Sequence, residues 1–302
     1  MINKILKAYK NPTLVLLYIL NKKIFSLVSD KIYLKIIYRL KTRKKLNLNN
    51  PETFNEKLQW LKLYDRNPEY TKLVDKYEVR KYIANTIGEK YLIPLIGVWD
   101  KFEDIDFSTL PNQFVLKCTH DSGGIVICKD KSTFDIDAAR QKINKSLKRN
   151  YYYHGREWPY KNVKPRIICE KYMVDESGIE LKDYKFFCFS GKPKIIQVDF
   201  NRYRGHKRNL YDKDWNYIPM SIKYPTNSDV KIKKPNKLKD MLMFATLLSK
   251  NCPHVRVDFY SMNDSIFFGE LTLYPGSGCE EFTPESYDYI LGSWLELPSK
   301  KL

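Results

Sequence analysis

Between Val255 and Gly278 the chain reads VRVDFYSMNDSIFFGELTLYPGSG. Two strands are predicted there, Val255–Tyr260 and Ile266–Leu273, around a turn carrying Asn263 and Asp264. Arg256, Asp258 and Tyr260 alternate with apolar residues and share one face, as do Glu270 and Thr272 on the second strand. If the strands pair, a guanidinium, two carboxylates and a hydroxyl meet over one small patch. Two carboxylates held together call for a cation, and Mg²⁺, a hard ion that takes oxygen ligands and bridges to phosphates, suits them. The turn Pro275-Gly276-Ser277-Gly278 can bring backbone N–H groups close to an anion. The same pattern also describes an ordinary hairpin with a solvated polar face.

Other residues of chemical promise lie upstream. Thr119–Gly124 (THDSGG) sits between predicted strands Gln113–Cys118 and Ile125–Lys129. Its paired glycines make a loop able to lay N–H groups along a phosphate, although it is neither a Walker nor a Rossmann fingerprint. Lys117, one step before it in an otherwise apolar strand, needs an anion nearby. Glu170 closes the apolar strand Arg166–Met173, Asp183 and Lys185 share a face of Lys182–Ser190, and His206 lies in the basic segment Asn201–Asn209. Asn150–Lys164 (NYYYHGREWPYKNVK) mixes aromatics and cations, a combination that stacks on sugars or bases or packs beneath a surface loop.

What must position these residues is a chain of 302 residues, 43% hydrophobic and 29% charged, which is a globular composition. The net charge is +18 and uneven: residues 1–45 hold twelve Lys and Arg against one acid, Asp30, a net of +11. Such asymmetry points to an anionic partner. Lys31–Leu40 is a predicted amphipathic helix with Ile32, Ile36, Ile37 and Leu40 on one side and Lys31, Lys35 and Arg39 on the other, and Thr13–Val28 precedes it. Together they fit an anionic membrane surface or simply the rest of the protein. The apolar run Leu14–Leu20 is far too short to span a bilayer and lacks a cleavage signature. Six cysteines without a C-x-x-C pair read as buried thiols in a reducing compartment. A cytoplasmic protein is expected, with attachment at the inner membrane face through residues 1–45.

Asn50 is a predicted N-cap with Pro51 opening a helix that runs through Phe54, Leu58, Leu61 and Leu63. A second helix is predicted over Tyr70–Ile87, then a strand over Tyr91–Val98. Helices at Asp135–Arg149 and Pro235–Lys250 and a strand at Lys194–Phe200 complete the elements, and Cys279–Leu302 reads as a tail. The organisation expected is a basic helical region at 1–48, a supporting domain at 49–110 and a catalytic region at 111–302 with a hinge near 170–175.

The order of these pieces resembles the ATP-grasp superfamily. More narrowly, NPETFNEKLQWLKLYDRNPEYTKLVDKYEVRKYI (Asn50–Ile83), FVLKCTHDSGG, DYKFFCFSGKP and GELTLYPGSG resemble its teichuronopeptide-synthesis, TupA-like branch, from about Asn50 to the C-terminus. The resemblance implies an α+β fold in which two small subdomains clasp ATP. It implies that Lys117 contacts the nucleotide phosphates, Ser122, Gly123 and Gly124 cover them, and Glu170, Lys171 and Tyr172 hold the adenine at the hinge. Glu180 is the implied ribose acid, with Asp175 and Glu176 as rivals. Lys185 is a second phosphate lysine, Asp258 and Glu270 hold two Mg²⁺ ions, and Arg256 neutralises the transferring phosphoryl group. Thr272 stands where superfamily members usually have Asn, which leaves the second metal site open. His120 or His206 would deprotonate an amine.

The implied reaction is ATP-dependent ligation of a carboxylate to an amine through an acyl phosphate, chemistry that needs positioned cations more than a covalent nucleophile. The branch implies a uronic-acid-type carboxylate in cell-surface polysaccharide synthesis and an amino-acid or peptide amine. Other readings are a sugar kinase on the same ATP site, a glycosyltransferase holding a nucleotide sugar through a metal, and a basic module without turnover; nucleic acid is not expected as a partner.

Overall fold

The computed structural model describes residues 27–174, 183–200 and 205–299. The predicted helix Thr13–Val28 therefore lies almost wholly outside the described residues, as do Asp175, Glu176 and Glu180.

Helix α1 (Asp30–Thr42) leads into α2 (Phe54–Tyr64), α3 (Glu69–Val74) and α4 (Val79–Thr86). Strands β1 (Leu95–Trp99), β2 (Phe114–Cys118), β3 (Ile125–Cys128) and β4 (Ile167–Lys171) form an antiparallel sheet of order β1-β4-β2-β3, backed by α5 (Ile136–Leu147). The second sheet contains β5 (Asp183–Phe189), β6 (Lys192–Phe200), β7 (Lys207–Tyr211) and β8 (Tyr217–Ile218), with β10 (His254–Met262) and β11 (Ser265–Thr272) at its other end; its order is β11-β10-β5-β6-β7-β8. A short pair joins β9 (Ser221–Ile222) to β12 (Phe282–Thr283), while α6 (Leu238–Ser249) backs the large sheet and α7 (Ser286–Trp294) sits at the start of α2. Antiparallel sheets with segregated helices make the fold α+β.

Each sheet has its own core. Phe114, Leu116 and Cys118, alternate residues of β2, pack with Ala139 and Ile143 of α5. Val115 and Lys117, the intervening residues, face the other way, toward the space between the sheets. The larger core joins Phe186, Cys188, Val255 and Val257 to α6 and also to Leu58, Leu61 and Ile83 of the early helices. Residues expected to form a supporting region are thus divided between the sheets: α2–α4 brace the large one, and β1 is a strand of the small one.

Several boundaries differ from expectation for local reasons. Helix α2 is capped by Thr53, not Asn50, through a reciprocal capping box with Glu56. The predicted helix Tyr70–Ile87 is two helices, because the Asp75 carboxylate accepts from the N–H groups of Tyr77 and Glu78 and breaks the run. Strand β1 begins after Pro94, and Glu89–Tyr91 forms a 3₁₀ turn instead. The supposed tail contains β12 and α7. In α1 the buried stripe is Tyr33, Leu34, Ile37 and Tyr38, so Ile32 and Ile36 lie on the exposed basic side.

His254, at the start of β10, is enclosed by the rings of Phe54, Phe187 and Phe189. Burial lowers its pKa to about 3, so the folded protein holds it neutral while the unfolded chain takes up a proton below the ordinary value of 6.5. Its contribution to stability is intact above pH 6.5 and is lost as pH falls toward 3, at about 1.4 kcal/mol per pH unit. His254→Leu is expected to flatten the acid limb of the stability curve by that slope, measured by urea unfolding between pH 4 and pH 7.

Candidate active site

The two sheets face each other across a cavity of 360 Å³. Its small-sheet wall carries Lys117 and Glu170, which share the inward side of β2 and β4 because Val115 pairs with Glu170 and Lys117 with Ile168. Lys117 Nζ donates to Glu170 Oε2 at 2.6 Å, and Arg80 Nη1 of α4 donates to Oε1 at 2.9 Å. Arg80 also donates to the Ile93 carbonyl, which ties α4 to the end of the strand. Lys171, Tyr172 and Met173 continue along the rim, and the Lys171 N–H is held by the Pro94 carbonyl at 3.0 Å. Apolar side chains, among them Leu73, Ile93, Ile127 and Leu271, complete a slot with an oily middle and charged ends.

The large-sheet wall is the hairpin singled out above. Asn263 and Asp264 take left-handed conformations (φ 47° and 57°) that close a tight turn between β10 and β11. The register sets Asp258 opposite Glu270 on one side and opposite Lys185 of β5 on the other. Lys185 Nζ lies 2.7 Å from Asp258 Oδ2 and 2.9 Å from Asp183 Oδ2. Arg256 grips the same carboxylate with two bonds, Nε to Oδ1 at 2.7 Å and Nη2 to Oδ2 at 2.8 Å, and its Nη2 also reaches Thr272 Oγ1 at 3.0 Å. The Asp258 carboxylate raises the already high pKa of Arg256 further, against burial. A bulge at Gly269 lets Asp258 pair with Glu270 while Phe259 pairs with Phe268.

The Glu270 carboxylate has no hydrogen-bond or ion-pair partner among the described residues, although Asp258 beside it is fully engaged. Tyr160 and Tyr151, packed near Glu270, have pKa values raised by burial first and by this and other carboxylates second. An unneutralised carboxylate next to Asp258 and the Thr272 hydroxyl is an oxygen donor set that suits Mg²⁺ carrying phosphate oxygens and water on its other positions. The described residues form no cluster of three or more metal-type side chains, so a bound ion would rest on substrate as well as protein.

The structure brings Lys117, Glu170, Lys171, Tyr172, Lys185, Asp258 and Glu270 to one cavity, with Arg256 and Thr272 bonded behind them. It does not bring Ser122, Gly123 or Gly124 into that lining. The loop is nonetheless built: the Asp121 carboxylate accepts from the Gly124 N–H, Ser146 Oγ and Arg149, and Lys76 Nζ donates to the Asp121 carbonyl at 2.6 Å. His120, proposed as a base, is buried with Nε2 against the Ser146 carbonyl, and burial lowers its pKa. His206 also stands outside the cavity lining, 3.1 Å from Asp199 and stacked on Tyr224. The aromatic segment Asn150–Lys164 is no open stacking platform, since Tyr152 and Tyr160 are buried.

Sequence reasoning missed Arg80, whose helix offers no local sign that it reaches Glu170. It also missed what the FNEKLQWLK stretch is for. Asn55, Gln59 and Lys62 occupy one face of α2 at spacings of four and three residues. Asn55 exchanges two hydrogen bonds with the backbone of Glu280, and Gln59 Nε2 donates to the carbonyls of Ser277 and Gly278. Lys62 Nζ donates to Gly155 O, Ser277 O and Ser277 Oγ. The Pro275–Gly278 turn is left-handed at Gly276, Ser277 and Gly278, and a side chain at Gly278 would meet Gln59 and Leu58 besides. Lys62 is 1% exposed, and burial lowers its pKa to about 8 while the buried Glu157 opposes that shift. Lys62→Met keeps the bulk and removes the donors. Loss of about 1–3 kcal/mol in urea unfolding is expected from the unmet carbonyls, with activity falling even at temperatures where the variant remains folded.

No curated protein gives a significant sequence match. Among solved structures, an ADP complex of the N5-carboxyaminoimidazole ribonucleotide synthetase purK is 16% identical, with TM-score 0.46 over 82% of this chain and 58% of its own. The D-alanine–D-alanine ligase of Helicobacter pylori is 12% identical, with TM-score 0.43 over 83% and 68%. The corresponding ligase of Bacillus anthracis is 18% identical, with TM-score 0.40 over 78% of this chain and 64% of its own, so the chain spans less than two thirds of that protein. The family described as TupA-like ATPgrasp matches residues 56–296, which include both walls of the cavity and Gln59 and Lys62 of α2. The chain belongs to the TupA-like ATP-grasp family.

Proposed function

We propose that the protein is an ATP-dependent carboxylate–amine ligase, ADP-forming, acting on a uronic-acid-type carboxylate and an amine in cell-surface polysaccharide synthesis. The observation that carries this reading is the convergence of Lys117 and Glu170 from one sheet, joined by Arg80 of α4, with Lys185, Asp258 and Glu270 from the other on a single cleft, Arg256 being bonded to Asp258 behind it. The apolar middle of the cleft suits a base, with Glu170 and the backbone at Lys171 and Tyr172 reading its edge. Lys117 and Lys185 then sit where phosphates would lie, and Glu180 remains the proposed ribose acid. Asp258, Glu270 and Thr272 would hold Mg²⁺, two ions in this reading, which would draw charge off the phosphate oxygens.

The chain's own part is mainly positioning. A substrate carboxylate oxygen attacks the γ-phosphorus, ADP leaves, and an acyl phosphate forms. Arg256, oriented by Asp258, is the proposed neutraliser of that negative charge. The amine then attacks the acyl carbon, inorganic phosphate departs, and a proton is lost from nitrogen. His206, partly exposed and paired with the buried Asp199, is the proposed acceptor of that proton; Asp199 shares the sheet face of Lys185, and Arg208 joins it to Glu280, whose charge acts on Arg256. The Ser122–Gly124 tip is the proposed cover over the phosphates. Buried or half-buried thiols at all six cysteines accord with a cytoplasmic location.

The decisive measurement is ADP release with Mg²⁺ and hydroxylamine across a panel of uronic acids. ADP together with a hydroxamate is expected, and Glu270→Gln should lower both about 100-fold. ADP with a stable phosphosugar would instead identify a kinase, and no ATP binding by calorimetry would remove the ligase reading.

A further inference from the structure

Helix α1 has two faces, and the described residues pack against only one of them. Tyr33, Leu34, Ile37 and Tyr38 are buried in the large core. The opposite side presents Ile32 and Ile36, 55% and 37% exposed, and Leu27, before the helix starts, is also exposed. Isoleucines four residues apart on a solvent-facing helix side are out of place unless something apolar covers them. Lys31, Lys35 and Arg39 run beside them on the same exposed half, and Lys41, Arg43, Lys44 and Lys45 follow at the C-terminal end. The one acid of the region, Asp30, is turned inward to Arg66, Tyr152 and Arg156. Apart from Lys44, which pairs with Glu285 beyond the helix end, the cations on the outer side of α1 stand beside its apolar groups with no acidic partner among the described residues.

We propose that this face docks on an anionic lipid bilayer, with α1 lying in the interface plane, Ile32 and Ile36 entering the acyl boundary and the lysines and Arg39 meeting the headgroup phosphates. Lipid suits both halves of the pattern at once, since a bilayer surface is apolar beneath and anionic above. A protein partner would need acids arranged around an apolar slot. No helix among the described residues is long and apolar enough to cross a membrane, so attachment through α1 is peripheral. The helix is also a firm handle: Tyr33 donates to the Tyr153 carbonyl and Arg156 to the Val28 carbonyl. It thereby holds the segment whose Tyr151 and Tyr160 feel the charge of Glu270. The inference does not depend on the reaction assigned above.

The test is sedimentation of the full chain with phosphatidylcholine vesicles, with and without one quarter phosphatidylglycerol, across a salt series. Binding to the anionic vesicles alone, weakening with salt, is expected. Lys31→Gln and Lys35→Gln should each reduce it about fivefold, and Ile32→Ser with Ile36→Ser about tenfold; all four positions are exposed, so the fold should survive. ADP formation in lipid-free solution should be unchanged in every variant, which separates failure here from failure of the ligase assignment. Equal binding to both vesicles, or binding unaffected by the substitutions and so owed to residues 1–26, would overturn the proposal. So would a concentration-dependent dimer, without vesicle binding, that the Ile32→Ser and Ile36→Ser pair abolishes.

Discussion

The Asp258 carboxylate, held by Arg256 on its own strand and by Lys185 on the next, is the interaction around which the catalytic wall is arranged. Three charged groups in so small a space are affordable only because each is bonded, since a buried carboxylate left unpaired costs several kcal/mol. The register of β11, β10 and β5 makes the arrangement possible by placing Glu270, Asp258 and Lys185 in one row across three strands. A one-residue slip would send the whole row to the opposite face, among Phe186, Val257 and α6. The tight Asn263-Asp264 turn and the core beneath therefore serve the site as much as they serve stability.

A second constraint acts from outside the sheet. The left-handed turn Pro275–Gly278 turns the Ser277 and Gly278 carbonyls toward α2, which supplies their donors through Gln59 and Lys62. Lys62 also takes the Gly155 carbonyl, so one buried ammonium joins the turn after the hairpin to the aromatic segment beside Glu270. The early helices are thus part of the machinery that shapes the site, even though none of them needs to touch a substrate to do so. Arg80 extends the same logic to the small sheet, where it and Lys117 share Glu170.

The charge distribution has an equally physical explanation. Within the cleft, cations pair with Glu170, Asp183 and Asp258 and leave Glu270 without an ion pair, whereas on the outer side of α1 all but Lys44 lack an acidic partner among the described residues. The first pattern positions groups for phosphoryl chemistry. The second raises the potential of one surface and draws that surface toward an anionic partner.

Much of the site was legible in the chain because strand periodicity is strict: side chains two apart share a face, so Arg256 with Asp258, Glu270 with Thr272 and Asp183 with Lys185 could be grouped before any coordinates. The strands β2, β4, β5, β10 and β11 were likewise readable, being apolar runs bounded by turn residues. Helical detail was less so, since Asn50 and Thr53 are both plausible caps and only the Glu56 partner of Thr53 decides between them. The sequence by itself determined which residue types face together and that the ends of the chain differ in charge. Only the tertiary structure decided that Arg80 meets Glu170, that Lys62 is buried under the Pro275–Gly278 turn, and that Ile32 and Ile36 face solvent. Those are contacts between segments up to 215 residues apart, and local periodicity carries no information about which distant surface a face will meet.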